Sequence, residues 1–224
     1  MKVSVIIPVY NVAKYIERCL LSVLNQTWQD LEVILVNDCT PDGSMQIVKK
    51  LISSHPRGAV VRCLEHEKNK GLSAARNTGI SVSVGDYLYF LDSDDYIPAN
   101  AIELLAEAAR QKQTNFVIGY YEVTGARRWA PPLSLGTGLY EGNALVLSNY
   151  VQEKWYVMAW NKLVSRPFVL QHQLYFQEGI VHEDDLWSFK LACMAQSMYV
   201  VDETTYYYSC LLYTSPSPRD TERS

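Results

Sequence analysis

No stretch of the 224-residue chain approaches the roughly 18 consecutive apolar residues of a membrane-spanning helix, and neither an internal repeat nor a basic run occurs. These absences exclude a helical membrane-spanning protein, a repeat array and a charge-driven nucleic-acid binder as readings of these residues. The five cysteines (Cys19, Cys39, Cys63, Cys193 and Cys210) form no CxxC pair and no metal-ligand spacing. The expectation is reduced thiols in a cytosolic protein, not a disulfide framework. Met1 leads straight into the apolar run Val3-Ser4-Val5-Ile6-Ile7, so no signal peptide is expected. Glycine is missing from Pro8-Val9-Tyr10-Asn11-Val12-Ala13-Lys14, directly after that first expected strand. A dinucleotide-binding GxGxxG turn, or the phosphate loop of a sugar nucleotidyltransferase, would need it there.

What is present describes an ordinary globular core: 48% apolar and 20% charged residues, with a net charge of -4. The sixteen tyrosines are numerous; such rings stack on sugars and bases, or sit at the edge of a core. The most informative segment is Tyr87-Leu88-Tyr89-Phe90-Leu91, an apolar run that ends in Asp92, Asp94 and Asp95. Carboxylates this close repel one another. A divalent cation with oxygen ligands would relieve the repulsion and bridge them to a phosphate, whereas a solvated acidic turn before a helix at Ala99 would simply tolerate it.

The first half alternates between periods. Strands are predicted at residues 3–8, 31–36, 60–64, 87–91 and 116–121, with helices at about 13–25, 44–53, 73–81 and 99–111 between them. This pattern implies an α/β fold with a mostly parallel central sheet, flanked by helices on both faces. Ligands in such sheets bind outside the carboxyl ends of the strands. Tyr10-Asn11, Asn37-Asp38 and Asp92 through Asp95 all fall there, which favours the cation reading of the acidic cluster. From about Val123 the rhythm changes. Pro131-Pro132, Gly136, Gly138 and Gly142 mark loops, a helix is expected at 143–152, and His182-Glu183-Asp184-Asp185 opens another whose apolar side would carry Leu186, Trp187, Phe189, Leu191, Cys193 and Met194. One domain over 1–209 is expected, with a nucleotide-sugar half (1–122) and an acceptor half (123–209).

Five motifs in order carry a resemblance to the family 2 glycosyltransferases of the GT-A type. They are Val3 through Asn11, Val36-Asn37-Asp38, Asn69-Lys70-Gly71-Leu72-Ser73-Ala74-Ala75-Arg76-Asn77, Asp92-Ser93-Asp94, and Glu183-Asp184. The resemblance implies an inverting, metal-dependent transfer of a sugar from a nucleotide-diphosphate donor, most simply a UDP-sugar, to a hydroxyl of a glycan or lipid-linked acceptor. Asp94 would ligate Mn²⁺ or Mg²⁺, with Asp92 beside it contacting the metal, the ribose or the donor sugar. Tyr10 would stack on the base and Asn37 bond its edge; Pro8 and Ser93 come to the donor side with their motifs. Many members carry Asp where Asn37 stands, and Asn both accepts from and donates to a pyrimidine. Asp38 bonds the ribose or stabilises its turn. Arg76, and less so Asn77, would contact the donor near the diphosphate, and Lys162 would face it. Asp95 is a supporting partner or the start of the next turn. Trp155, Tyr156 and Trp160 form an acceptor platform or belong to the core.

A single in-line displacement needs one carboxylate to take the acceptor's proton, and the resemblance puts that role on Asp184. A non-catalytic nucleotide-sugar or glycan-binding module is the rival from another class, ahead of a sugar nucleotidyltransferase. The resemblance further implies cytoplasmic residence, with peripheral contact to the inner membrane face through a missing C-terminal part. That part is expected to be missing because Cys210 through Asp220 match, in order, the in-frame translation of a transposon-derived sequencing-library adapter. Residues 210–224 are accordingly expected to be non-native.

Overall fold

The computed structural model describes residues 1–125 and 133–210. Its first half follows the predicted alternation: β1 (Val3–Val9), α1 (Ile16–Leu24), β2 (Leu31–Asn37), α2 (Ser44–Ser54), β3 (Val61–Glu65), α3 (Leu72–Val82), β4 (Tyr87–Phe90), α4 (Ala101–Lys112) and β5 (Phe116–Gly125). The second half contributes β6 (Gly138–Glu141), α5 (Asn143–Val151), β7 (Lys162–Ser165), α6 (Arg166–Gln171), α7 (Glu183–Met194) and β8 (Ser197–Cys210). The adapter-like tail beyond Cys210 and the Pro131-Pro132 signal lie outside the described residues.

The strands form one sheet in the order β3-β2-β1-β4-β7-β5-β8-β6. β7 pairs antiparallel with both β4 and β5, β8 parallel with β5, and β6 antiparallel with β8. Strands β1 to β5 and β8 therefore share one direction and only β6 and β7 oppose it, so the sheet is mostly parallel. The sequence pattern ends the series at β5. The structure instead inserts β7 between β4 and β5, and the sheet runs unbroken across residue 122. A four-residue strand that begins with lysine carries too little alternation to be read from sequence.

Every residue of β1 is buried, as expected of a parallel strand covered on both faces. Each fully buried Val or Ile there contributes about 1.5–3 kcal/mol relative to exposure. Pro8 fits because the Ile6 carbonyl accepts from Leu91 N–H, so alternate residues of β1 face β4. The ladder to β4 stops at the Ile6–Phe90 pair. Pro8, two residues further on, meets no acceptor that would need its missing N–H.

Helix α1 begins three residues later than its periodicity suggests. The N–H groups of Asn11, Val12 and Ala13 donate instead to Thr40 Oγ1, Ser44 Oγ and Asp42 Oδ2, which holds this stretch as a loop against the β2–α2 turn. Asn11 takes a left-handed backbone (φ 56°) in that loop. Helix α3 lies close on the sheet because Gly79 has no side chain; a Cβ there would sit 2.4 Å from Ile6 Cγ2. Helix α7 turns a narrower face inward than its composition suggests. Glu183, Trp187, Ser188, Leu191 and Ala192 are buried, whereas Phe189 and Met194 face solvent.

Candidate active site

The neighbouring positions of β2, β1 and β4 bring three of the predicted clusters to one edge of the sheet. Val9 pairs with Asn37, so Tyr10 and Asp38 leave adjacent strands side by side, and the turn after β4 starts two residues beyond the Ile6–Phe90 pair. Tyr10 is 39% exposed at this edge, free to offer a ring face. Asn37 is half-buried, and its Oδ1 accepts from Thr40 N–H at 2.9 Å. That bond identifies the oxygen, and leaves the amide NH₂ as the group turned to other uses.

Asp38 is buried and heavily engaged. Its Oδ1 accepts from Lys70 N–H and pairs with His66 Nδ1 at 2.7 Å, while its Oδ2 accepts from Gly71 N–H at 2.8 Å. Gly71 itself needs φ +88° to turn the chain into α3. These bonds tie Asp38 to the loop that starts α3, some thirty positions further along the chain, and none of them lies within its own turn. Pro8 is buried within its strand, and Ser93 is buried inside the turn after β4.

Arg76 is the centre of the arrangement. Its side chain is 0% exposed, and it gathers carboxylates from both halves of the chain: Nη2 to Asp92 Oδ1 at 2.9 Å, Nη1 to Asp184 Oδ1 at 2.5 Å and to Glu183 Oε1 at 3.2 Å. Burial would lower the pKa of the guanidinium, but Asp184, Asp92 and Glu183 together outweigh burial and raise it. The ring of Phe176 lies 5.0 Å below the guanidinium carbon, stacked on Trp187 and met edge-on by Phe90. The buried face of α7 thus delivers Glu183 and Asp184 to α3. Asn77 turns toward the segment that leads to α7: its amide donates to the Phe176 carbonyl and accepts from Phe176 N–H, both at 2.8 Å, clamping that segment.

Asp94 and Asp95 complete the acidic turn. Burial, then the neighbouring charge of Asp92, pushes Asp94 up to about 6. Burial followed by Asp94 and Asp92 raises Asp95 as well, although Tyr206 Oη and Ser209 N–H both donate to it. The turn therefore holds crowded anionic oxygen that either a proton or a cation would relieve. The donor set is hard oxygen, suited to Mg²⁺ or Mn²⁺, yet among the described residues no group of three or more His, Cys, Asp or Glu converges as a metal site.

One expectation is corrected, and the open alternative for three aromatics resolves to the core. Lys162 does not face the diphosphate; its buried Nζ donates to the carbonyls of Tyr156, at 2.9 Å, and Met158. Trp155, Tyr156 and Trp160 are buried core aromatics and offer no platform. His182 sits exposed at the start of α7 in a left-handed backbone. Sequence reading missed Arg18, Tyr206 and Ser209, whose contacts with the acidic turn come from an outward helix position and a distant strand, with no local signal. The surface groove of about 480 Å³ lined by Lys14, Glu17, Arg18 and Leu21 takes in none of the predicted site residues.

With this geometry in hand, comparison with known proteins is direct. The family described as Glycosyl transferase family 2 matches residues 4–165. An uncharacterized glycosyltransferase, EpsJ of Bacillus subtilis, is 36% identical over 218 residues, covering 92% of this chain and 60% of its own length. The structure resembles Staphylococcus aureus TarS residues 1–349 in complex with UDP, with a TM-score of 0.81 at 25% identity, over 99% of this chain and 62% of that one. It also shares its fold with the mannosyltransferase PcManGT of Pyrobaculum calidifontis, solved with GDP-Man and Mn²⁺, with a TM-score of 0.68 at 19% identity, over 95% of this chain and 58% of that one. The chain thus spans about three fifths of the length of these relatives. The fold is of the GT-A type, and the chain belongs to glycosyl transferase family 2.

Proposed function

We propose that this chain transfers a glycosyl group from a UDP-sugar to a hydroxyl of a glycan or lipid-linked acceptor, with inversion, in the building of a polysaccharide. The observation that carries the reading is the ion-paired set of Arg76, Asp92 and Asp184, which joins the donor edge of the sheet to the start of α7.

Tyr10 would stack on the base, and the free amide of Asn37 would donate to a base carbonyl; the UDP bound by the Staphylococcus relative supports uridine. The metal-ligating oxygens would be those of Asp94 and the Asp92 oxygen that Arg76 leaves free. A bound Mn²⁺ or Mg²⁺ would supply countercharge for the departing diphosphate. Asp184 would accept the acceptor's hydroxyl proton while the new bond to the sugar's anomeric carbon forms and the bond to the diphosphate oxygen breaks. Arg76 occupies Asp184 Oδ1, so Oδ2 is the oxygen proposed to take the proton. We place the reaction at the cytoplasmic face of the membrane, with the acceptor met by the second half and by sequence that follows β8. The four free thiols among the described residues suit that compartment.

Calorimetry of UDP, GDP and CDP binding, with and without Mn²⁺, tests the donor site. Manganese-dependent UDP binding that disappears in Asp94→Ala is expected. Preference for another base would move the donor assignment, and binding of none would overturn the site. Release of UDP from UDP-sugars then separates an enzyme from a binding module, which would bind without turnover.

A further inference from the structure

The acidic turn after β4 is held from outside the residues that match the family, by the far end of the last strand. Contacts from β8, joined by Arg18 of α1, converge on it. Asp95 is 1% exposed, and its carboxylate accepts from Tyr206 Oη and from Ser209 N–H, each at 2.6 Å. Tyr206 Oη in turn accepts from Asp92 N–H at 3.3 Å. Arg18 donates to the Asp94 carbonyl at 2.9 Å and to Ser209 Oγ at 2.7 Å, with its guanidinium 4.2 Å over the Tyr96 ring. Finally, Tyr96 and Tyr207 exchange backbone hydrogen bonds and stack their rings 4.7 Å apart.

The hydroxyl of Tyr206 cannot swing away from this position. Its ring stacks on Trp160 with centroids 4.4 Å apart and planes 9° from parallel, and Trp160 stacks in turn on Tyr156 and Tyr208. A rigid aromatic pile in the core therefore ends in one hydroxyl that both donates to Asp95 and accepts from Asp92. A turn of this acidity without these bonds would spread its carboxylates apart; a pinned one keeps them at a fixed spacing despite their repulsion.

We propose that Tyr206 and Asp95 are positioning residues for the donor site, fixing the Asp92–Asp94 turn so that its carboxylates can share a divalent cation with a nucleotide diphosphate. The proposal rests on the donor-site reading above and extends it to β8. Strand β8 is then part of the donor machinery as well as of the sheet, although the residues matched to the family end at 165.

Tyr206→Phe is the discriminating substitution, because it removes one hydroxyl, keeps the stacked ring and changes no charge. Tyr156→Phe is the control: it removes another buried hydroxyl of the same pile, one that donates to the Gly119 and Asn161 carbonyls away from the turn. Calorimetry with UDP and Mn²⁺ should give about a tenfold higher half-saturating Mn²⁺ for Tyr206→Phe, the size a hydrogen bond to a charged group supports, and none for Tyr156→Phe at a similar loss of Tm. Without ligands, hydrogen exchange of the Asp92 and Ser209 amides should quicken in Tyr206→Phe alone. Unchanged manganese dependence in Tyr206→Phe would overturn the positioning role and leave the donor site standing. Absence of manganese-dependent UDP binding in the unaltered chain would overturn both.

Discussion

Arg76 and Asp184 meet at 2.5 Å across 108 positions of sequence. Arg76 stands in the first half of α3 and Asp184 in the first turn of α7, and their contact ties the proposed nucleotide edge of the sheet to the proposed acceptor side. The same guanidinium holds Asp92, so a single buried cation sets the relative position of a donor carboxylate and the proposed base.

Replacing Arg76 should therefore damage both stability and chemistry. Arg76→Ala leaves Asp92, Glu183 and Asp184 facing one another without their cation, and breaking such a buried set costs about 3–5 kcal/mol. Guanidinium unfolding would measure it. Arg76→Lys keeps the charge but loses the fork that reaches Asp92 and Asp184 together, so it should recover part of the stability and little of the turnover. Full turnover in Arg76→Lys would show that charge alone suffices there.

Asp184→Asn tests the base while sparing the architecture, since an amide oxygen can still accept from Arg76. Turnover should fall by roughly a hundred- to ten-thousandfold, with UDP and Mn²⁺ binding unchanged. Equal turnover by the variant would remove Asp184 from the role.

Asn77→Ala should act through the segment before α7. It deletes two 2.8 Å bonds to the Phe176 backbone, which is buried, at a cost of about 1–3 kcal/mol. Because Phe176 lies against both Arg76 and Trp187, turnover should suffer more than UDP affinity. A larger loss of UDP affinity than of turnover would return Asn77 to the donor site.

Lys162 gives a pH signature. Burial holds its ammonium well below the ordinary value of 10.5, despite the opposing pull of Asp184. Below the lowered folded value both states carry the proton and the full penalty of a buried charge applies. Above it only the unfolded chain stays protonated, so the penalty shrinks as pH rises toward 10.5. The stability of the unaltered chain relative to Lys162→Met should therefore improve as pH rises toward 10.5. A constant difference across that range, measured by urea unfolding, would mean that Lys162 titrates normally.

Much of the donor edge was legible because its signals are local. Apolar runs such as Val3–Val9 and Tyr87–Phe90 can only be buried strands. Polar residues that end them must gather at one edge once the strands run parallel. Asp92, Asp94, Asn37 and Tyr10 were placed at that edge this way, and the resemblance supplied the roles proposed for them. Helix α7 was also foreseen, and its buried face in part: Trp187 and Leu191 pack inward as expected, but Glu183 points inward because Arg76 awaits it, and Phe189 is left outside.

The sequence by itself determined the α/β alternation, the placement of the acidic turn at a strand end and the membership of a glycosyltransferase family. Those depend on hydrophobic period and on short motifs, which a chain carries wherever it folds. Only the tertiary structure decided that β7 enters the sheet between β4 and β5, that Asp38 anchors a loop, that Lys162 is buried, and that Arg76 joins Asp92 to Asp184. It also decided that Tyr206 braces the acidic turn. Each of these is a contact between residues far apart in sequence, fixed by the packing of whole elements, and no local pattern encodes which distant partner a buried polar group will find.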